Sequence, residues 1–390
     1  MSTTRQPKLV VLGIMGRTPL AGIAWQGLHY LEGFRRLGYE VSYVEDTGDW
    51  PYNPAQNTVT GDCSYAVDFI ARMLDWCGLP GCWCYRAGSQ NHRLYGLTDS
   101  QLTTLWRETD ILVNLTGSTM LREEHLRVPV RLYIETDPVT PQIQVAQGNE
   151  FTINLLAAHT HHFTYGENFG APDCGVPIAR FQYHPTRPPI ILDWWPVQPP
   201  AAARFTTIAN WKQTQKDIEW NGQKYTWSKH AEFVKFLDLP RRSGMAIELA
   251  LVGGNADERQ ELTEAGWRIV EALPLSLDIS SYRDYIRRAR GEFTVAKDQN
   301  IRLRSGWFSD RSATFLAAGR PVVTQDTGFG NILPTGRGLF AFQTMDDILV
   351  ALRQIEADYA GHCRAARAVA AEHFAAERVL GDLLRRCGVR

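Results

Sequence analysis

Residues 301–330 read IRLRSGWFSDRSATFLAAGRPVVTQDTGFG. The stretch predicts a loop, a helix, a tight turn and a strand. Arg302 and Arg304 lead into a small polar loop, Ser305-Gly306-Trp307-Phe308-Ser309. Asp310 or Ser312 can cap a helix that carries Ala313, Phe315, Leu316 and Ala317. Gly319 ends that helix, and Pro321 sets the backbone at the start of a strand, Val322-Val323-Thr324. A second glycine loop follows at Gly328 and Gly330, then Pro334-Thr335-Gly336. Glycine and serine loops beside a helix N-terminus, flanked by arginines, suit a phosphate group. Backbone N–H groups converge there, and the helix dipole favours negative charge.

Working outward, residues 8–13 (KLVVLG) form an apolar run of the kind found in buried parallel strands. A loop with Gly16, Arg17, Pro19 and Gly22 follows, then a helical pattern over 24–37 with Leu28, Leu31 and Phe34 on one face. His29 is expected to pack inside that helix. Residues 40–45 (EVSYVE) complete a β-α-β unit whose loop lacks the G-x-G-x-x-G spacing of a dinucleotide site. Residues 65–76 and 97–107 have helical spacing, the latter opened by the capping signal Thr98-Asp99-Ser100. Residues 110–115 (DILVNL) predict a strand, and Thr116-Gly117-Ser118-Thr119 lies at its C-terminal end, where open α/β sheets bind ligands.

The strand expected over 130–134 ends in Glu135-Thr136-Asp137-Pro138. Two carboxylates at a strand's C-terminal end are general-base candidates, with Asp137 first and Glu135 second. The alternative is that one caps a helix over 142–148 or pairs with Arg131. His159, His161 and His162 invite a metal reading, but 159 and 161 share a strand face while 162 points away, and no carboxylate stands at metal spacing. A place at a strand end or in the core is expected for them.

Residues 172–200 are proline-dense, and 199–203 (PPAAA) read as a linker. Residues 204–210 (RFTTIAN) open a second β-α array. A basic aromatic segment follows, with Lys229 at the start of a helix over 229–238 and Lys212 as the alternative cation. Residues 247–253 (IELALVG) are a buried-strand pattern ending at Gly253-Gly254-Asn255. Shorter strands are expected at 267–271, 292–296 and 338–342, a helix at 280–290, and terminal helices from 346 onward.

The central stretch resembles the signature region of GT-B glycosyltransferases, nucleotide-sugar enzymes of two Rossmann-like domains. In many of them a loop-helix of the sense G-W/F-x-S … A-x-G-x-P-V-V grips the donor diphosphate and ribose. Gly306-Trp307-Phe308-Ser309 and Ala317-Ala318-Gly319-Arg320-Pro321-Val322-Val323 stand in those places. The closest flavour is a bacterial, group 1-like set that includes CgeB-like spore maturation proteins. Two departures stand out. The E-x7-E pair of retaining families would fall on Gly306 and Thr314, and the histidine before C-G-W of the inverting plant-type box is replaced by Arg304-Ser305.

The resemblance implies an α/β fold of two Rossmann-like domains facing across a cleft. Residues 1–198 would form the acceptor domain, 199–365 the nucleotide-sugar donor domain, and 366–390 a helix packing back toward the first domain. It implies metal-independent, hexosyltransferase-type transfer from a nucleoside-diphosphate sugar to the hydroxyl or amine of a small-molecule or glycan acceptor. No cofactor beyond that donor substrate is expected. Lys229, Arg304, Ser305, Gly306, Ser309, Asp310, Arg311 and Gly328 would surround the donor, with Asp310 orienting Arg311 or taking ribose hydroxyls. Arg17, Gly22, Thr116 and Gly117 would face the acceptor. An epimerase of the same fold and a non-catalytic α/β binding protein are the alternatives. The missing dinucleotide fingerprint disfavours an NAD(P) oxidoreductase.

Composition is consistent with this class. The 390 residues suffice for two cores, and the formal net charge of -1 gives no basic surface for nucleic acid. No apolar run approaches a membrane span and the first residues lack a signal-peptide core, so a bacterial-type cytoplasmic location is expected. Nothing in the sequence sets an oligomeric state. Seven cysteines exclude a fully paired disulfide framework within one chain. The run Cys63, Cys77, Cys82 and Cys84 lacks a standard zinc spacing, and reduced structural thiols are expected.

Overall fold

The computed structural model describes residues 5–88, 92–200 and 202–389. Residues 1–4 of the polar N-terminus and Ala201 of the expected linker lie outside the described residues. The apolar runs build two sheets. Across the first, the strands run Tyr183–Pro185, His161–Thr164, Val130–Glu135, Ile111–Leu115, Lys8–Leu12, Glu40–Glu45, Trp83–Arg86 and Leu94–Gly96. All pair in parallel except Leu94–Gly96, which runs antiparallel to its neighbour. Leu9, Val10, Val11 and Leu12 are fully buried, so this strand has no solvent face and reads as an unbroken apolar run.

The second sheet runs Arg268–Glu271, Ile247–Val252, Phe205–Asn210, Gly291–Thr294, Val322–Gln325, Leu339–Phe342, all parallel. In each sheet the first strand lies inside, and the chain winds outward first one way and then the other. The order reverses between Lys8–Leu12 and Ile111–Leu115, and again between Phe205–Asn210 and Gly291–Thr294. Ligands of doubly wound sheets bind at the C-terminal ends of strands at such reversals. The fold therefore sets two candidate crevices.

Helices Ala21–Arg36, Ile279–Arg288 and Asp310–Ala317 join the two units through one continuous apolar core. Trp25 lies within it and donates its indole N–H to the Ile279 carbonyl at 3.1 Å. His29 is buried in the same helix and accepts the Ile191 N–H at 3.0 Å, as expected of a packed helix residue. Helix Tyr359–His373 packs on Asp310–Ala317, and Ala376–Arg386 packs on Ala21–Arg36. Arg367 ties the carbonyls of Leu192, Trp195 and Ala317 together.

Two small hairpins, Tyr52–Asn53 with Thr58–Val59 and Ile218–Trp220 with Gln223–Tyr225, fill segments expected to be loops. The second turns at Asn221-Gly222, both at positive φ, the residue pair that a two-residue hairpin turn favours. The helix expected over 229–238 is only His230–Val234. Among the described residues, no helix is long and apolar enough to cross a membrane.

Candidate functional site

The loop after the first strand spends its backbone donors inside its own domain. Gly16 N–H reaches Glu45 Oε2 at 2.7 Å, Arg17 N–H reaches Glu45 Oε1, and the Tyr43 hydroxyl donates to the same carboxylate at 2.6 Å. Glu45 is fully buried, and that burial pushes its pKa up to about 7. The convergent N–H groups that could cradle a phosphate thus already hold a carboxylate.

Arg17 pairs with Asp49 at 3.0 Å and lines a cleft of about 960 Å³. Thr116 and Gly117 line the same cleft, both at positive φ. A Cβ at Gly117 would lie 2.5 Å from the Tyr133 ring, so the turn needs glycine there. Gly22, expected beside them, instead packs near the Tyr282 hydroxyl at the junction of the two units. That position, the second residue of helix Ala21–Arg36, faces the second unit rather than the cleft.

Glu135 and Asp137 both line the cleft, in opposite electrostatic settings. Asp137 Oδ1 takes Lys297 Nζ at 2.8 Å, while Oδ2 takes Lys216 Nζ at 3.0 Å and the Trp227 indole N–H at 2.6 Å. Burial alone would raise its pKa, but Lys297 and Lys216 override it and hold the carboxyl well below the usual range. This counts against Asp137 as the first candidate base: it is a weak base held by two ammonium groups. Glu135 is buried, accepts from Gln142 at 2.8 and 2.9 Å and from Thr164 at 2.7 Å, and is pushed up to about 7 by burial.

The central stretch divides into two groups of residues. Arg304 is held by Asp173 at 2.7 Å and Asp326 at 2.9 Å, and the buried Ser305 hydroxyl donates to Asn300 at 2.8 Å. Gly306 and Gly328, at positive φ, both make room for Asn168 of the first unit; added Cβ atoms would lie 2.3 Å from its backbone nitrogen and 2.8 Å from its amide. These four residues, expected around the donor, lie at the seam between the units. Their first-unit partners, Asp173 and Asn168, lie more than 130 residues away in sequence, so no local pattern announces them.

Ser309, Asp310 and Arg311 open helix Asp310–Ala317, which no side chain caps; neither Asp310 nor Ser312 does so. The Ser312 hydroxyl in that first turn is buried without a partner. Asp310 accepts from Gln26 at 3.2 Å across the seam, and burial pushes its pKa up to about 6. Arg311 is bound to Glu292 at 2.6 Å and to Thr294 at 3.0 Å, so Glu292 rather than Asp310 orients it.

Lys229 is the unusual group. It is half-buried, and among the described residues its ammonium makes neither an ion pair nor a hydrogen bond; its recorded contact is the Trp307 ring at 5.8 Å. Burial, then Arg311 and Lys297, lower its pKa well below the usual lysine value. Lys297 sits just after Gly291–Thr294, beside the second sheet's reversal point, and is lowered to about 8 by burial despite Asp137. Sequence reasoning did not single out Lys297, Lys216 or Trp227 as partners of Asp137. The signal available was position: Lys297 follows a strand that flanks a switch point. Lys212, the alternative cation, pairs with Glu258 at 2.6 Å.

The histidines at 159 and 162 sit 2.8 Å from the carbonyls of Leu155 and Leu156, and burial lowers the pKa of both. Among the described residues no cluster of three metal-ligating side chains occurs. Cys63 and Cys77 lie in one core and Cys84 in another, so the cysteine run does not converge.

No protein-family model and no curated protein matches the chain. Solved structures match it over nearly its whole length. AviGT4, a glycosyltransferase involved in avilamycin A biosynthesis, is 13% identical, with a TM-score of 0.54 over 98% of this chain and 97% of its own. Anabaena HepE in complex with UDP and glucose is 12% identical, with a TM-score of 0.56 over 98% and 99%. An alpha-glucosyltransferase in complex with UDP and a 13-mer DNA is 10% identical, with a TM-score of 0.61 over 98% and 100%. The chain has the GT-B fold that these structures share.

Proposed function

We propose that this protein is a metal-independent glycosyltransferase, moving a hexose from a nucleoside-diphosphate sugar to an acceptor hydroxyl or amine. The observation that carries the reading is Lys229: a half-buried ammonium with no ion pair among the described residues, close to Lys297 and Arg311 near the second sheet's switch point. Lys297 and Arg311 are paired with Asp137 and Glu292, so Lys229 is the ammonium that still needs a counter-charge, and a diphosphate would supply it. The uncapped start of helix Asp310–Ala317, with Ser309 and the unpartnered Ser312 hydroxyl, offers N–H and O–H donors beside those cations.

In this reading Glu135 takes the proton of the acceptor as the new glycosidic bond forms. The bond from the sugar's anomeric carbon to the diphosphate breaks, and Lys229, Lys297 and the helix N-terminus stabilise the leaving anion. A carboxylate raised to about 7 is suited to accept a proton near neutrality. The cleft of about 960 Å³ beside Glu135 leaves room for an acceptor, which favours transfer over an acceptor-free epimerisation. UDP-hexoses are the first donors to test, because HepE and the alpha-glucosyltransferase were solved with UDP.

The test is a thermal-shift screen against UDP-, GDP-, dTDP- and ADP-sugars, with NAD and NADP as controls. A ligand that binds only the folded state raises the midpoint by mass action. The expected result is a shift with one nucleoside diphosphate that Lys229→Ala loses. Silence with every nucleotide sugar would favour a binding protein without transfer chemistry, and a shift with NAD alone would favour an oxidoreductase.

A further inference from the structure

We infer that the acceptor half of the cleft takes a planar, apolar molecule bearing a hydroxyl, such as a phenolic aglycone, rather than a free sugar or a nucleic acid. The inference rests on the glycosyl-transfer reading. Eleven large apolar side chains are exposed among the described residues, and four of them line this one cleft: Trp50 (52%), Val59 (58%), Met120 (41%) and Phe151 (65%). Tyr52 and Leu155 extend the same lining. Apolar groups exposed together at the mouth of a concave site mark a binding surface, whereas scattered ones need no explanation.

The origin of each group supports a built surface. Trp50 and Val59 come from the small hairpin after Glu40–Glu45, and the Tyr52 N–H pins that hairpin to the Arg17 carbonyl at 2.9 Å. Phe151 stands in the first turn of helix Glu150–Ala157, and Met120 follows Ile111–Leu115. Three separate segments thus deliver two aromatic rings, a thioether and a branched chain to one opening. Aromatic faces and a flexible thioether fit a flat apolar body.

The charged groups of this wall are already engaged. Arg17 is paired with Asp49, Asp137 with two lysines, and Glu135 with Gln142 and Thr164. Besides hydroxyls such as Thr116, the wall carries the side-chain amides of Gln213 and Gln215, which suit the hydroxyl end of the ligand, and the sugar arm of the titration tests whether they hold a sugar instead. A nucleic acid needs a run of free cations along its phosphates, and the two basic groups lining the cleft, Arg17 and Lys216, are both neutralised by carboxylates.

The experiment is calorimetric titration of 4-methylumbelliferone, 2-naphthol, maltose and a 13-mer DNA duplex into the full chain saturated with UDP. The expected result is saturable binding of the two phenols, weakened about tenfold in Trp50→Ser and in Phe151→Ser. Val350→Ser, which removes an exposed apolar side chain outside this cleft, leaves it unchanged. The UDP thermal shift is read on every variant to show that the donor side is intact. Phenol binding that is absent, or as tight in both cleft variants as in the wild type, overturns the inference, as does binding of maltose or DNA in place of the phenols. If UDP gives no shift, the titration is run on the unloaded chain. Phenol binding lost in Trp50→Ser then keeps this inference while the glycosyl-transfer reading falls.

Discussion

Asp137 reaches across the cleft to Lys297, its Oδ1 2.8 Å from the ammonium nitrogen. The two residues belong to different sheets, and the Trp227 ring lies 3.9 Å from the same ammonium. The carboxylate occupies a cation that the leaving diphosphate of the donor would use. Asp137→Asn is therefore expected to lower the stability of the unliganded protein by about 2 kcal/mol, the scale of a hydrogen bond to a charged group. It is also expected to tighten UDP binding, because Lys297 and Lys216 lose an internal competitor. Turnover should stay within a few fold. A loss of a hundredfold or more in kcat, with UDP affinity unchanged, would return the base role to Asp137. The stabilising contribution of this carboxylate is present above its unfolded pKa of about 4 and is lost as pH falls below it.

Glu135 carries the complementary prediction. Its pKa of about 7 in the folded chain lies above the usual glutamate value because burial penalises the charged form. As a base it works only when ionised, so kcat/KM should rise with pH and level off above about 7. A free carboxylate would give that limb between 4 and 5. Stability runs the other way: the folded chain binds the proton more tightly than the unfolded one, so this group costs stability as pH climbs from about 4.5 through 7. Glu135→Gln should lower kcat by about a hundredfold or more while leaving the UDP shift intact. A profile flat between pH 5 and 8 in the wild type would exclude Glu135 as the base.

Much of the scaffold was legible because its causes are local. Residues 8–13 and 247–253 are apolar throughout because their strands are covered on both faces, and Gly319-Arg320-Pro321 punctuates helix and strand as expected. Asn221-Gly222 is a turn signal, but the segment around it reads as a polar aromatic loop, and its hairpin was not expected. The donor stretch was legible as a loop and helix, but not as a division of labour. Arg304 looks like a phosphate ligand until Asp173, 131 residues earlier, is seen to hold it. Asp137 looks like a free carboxylate until Lys216 and Lys297 arrive from the second unit. Pairings of that separation leave no periodicity to read.

Gly306 tests the seam. Its φ of +83° is unfavourable for any residue with a Cβ, and the added atom would meet the Asn168 backbone nitrogen at 2.3 Å. The obstacle is backbone on both sides, so neither can swing away. Gly306→Ala should destabilise the protein by about 3 kcal/mol, combining left-handed strain with overpacking. Urea unfolding measures it. Gly336, also at positive φ but with open space around it, is the control and should lose only about 1 kcal/mol on the same change. Equal losses at the two sites would mean that the close approach to Asn168 contributes nothing.

Lys229 gives the sharpest test, because stability and binding should move in opposite directions. Its ammonium is desolvated, lacks an anion and sits near two other cations, so the folded state holds its proton less tightly than the unfolded chain. The sign follows: stability attributable to this group rises with pH toward the unfolded value near 10.5 and is lost as pH falls. Lys229→Met should accordingly raise the midpoint of the unliganded protein at neutral pH. The same change should weaken UDP binding about ten- to a hundredfold, since it removes a charge-assisted hydrogen bond to phosphate. A diphosphate restores the missing counter-charge and raises the lysine pKa, so UDP binding should take up protons at a pH below the ordinary lysine value. Titrations in two buffers of different ionisation enthalpy read that uptake directly, and it should vanish in Lys229→Met. A variant less stable than the wild type that binds UDP equally well would place Lys229 in the scaffold and remove it from the donor site.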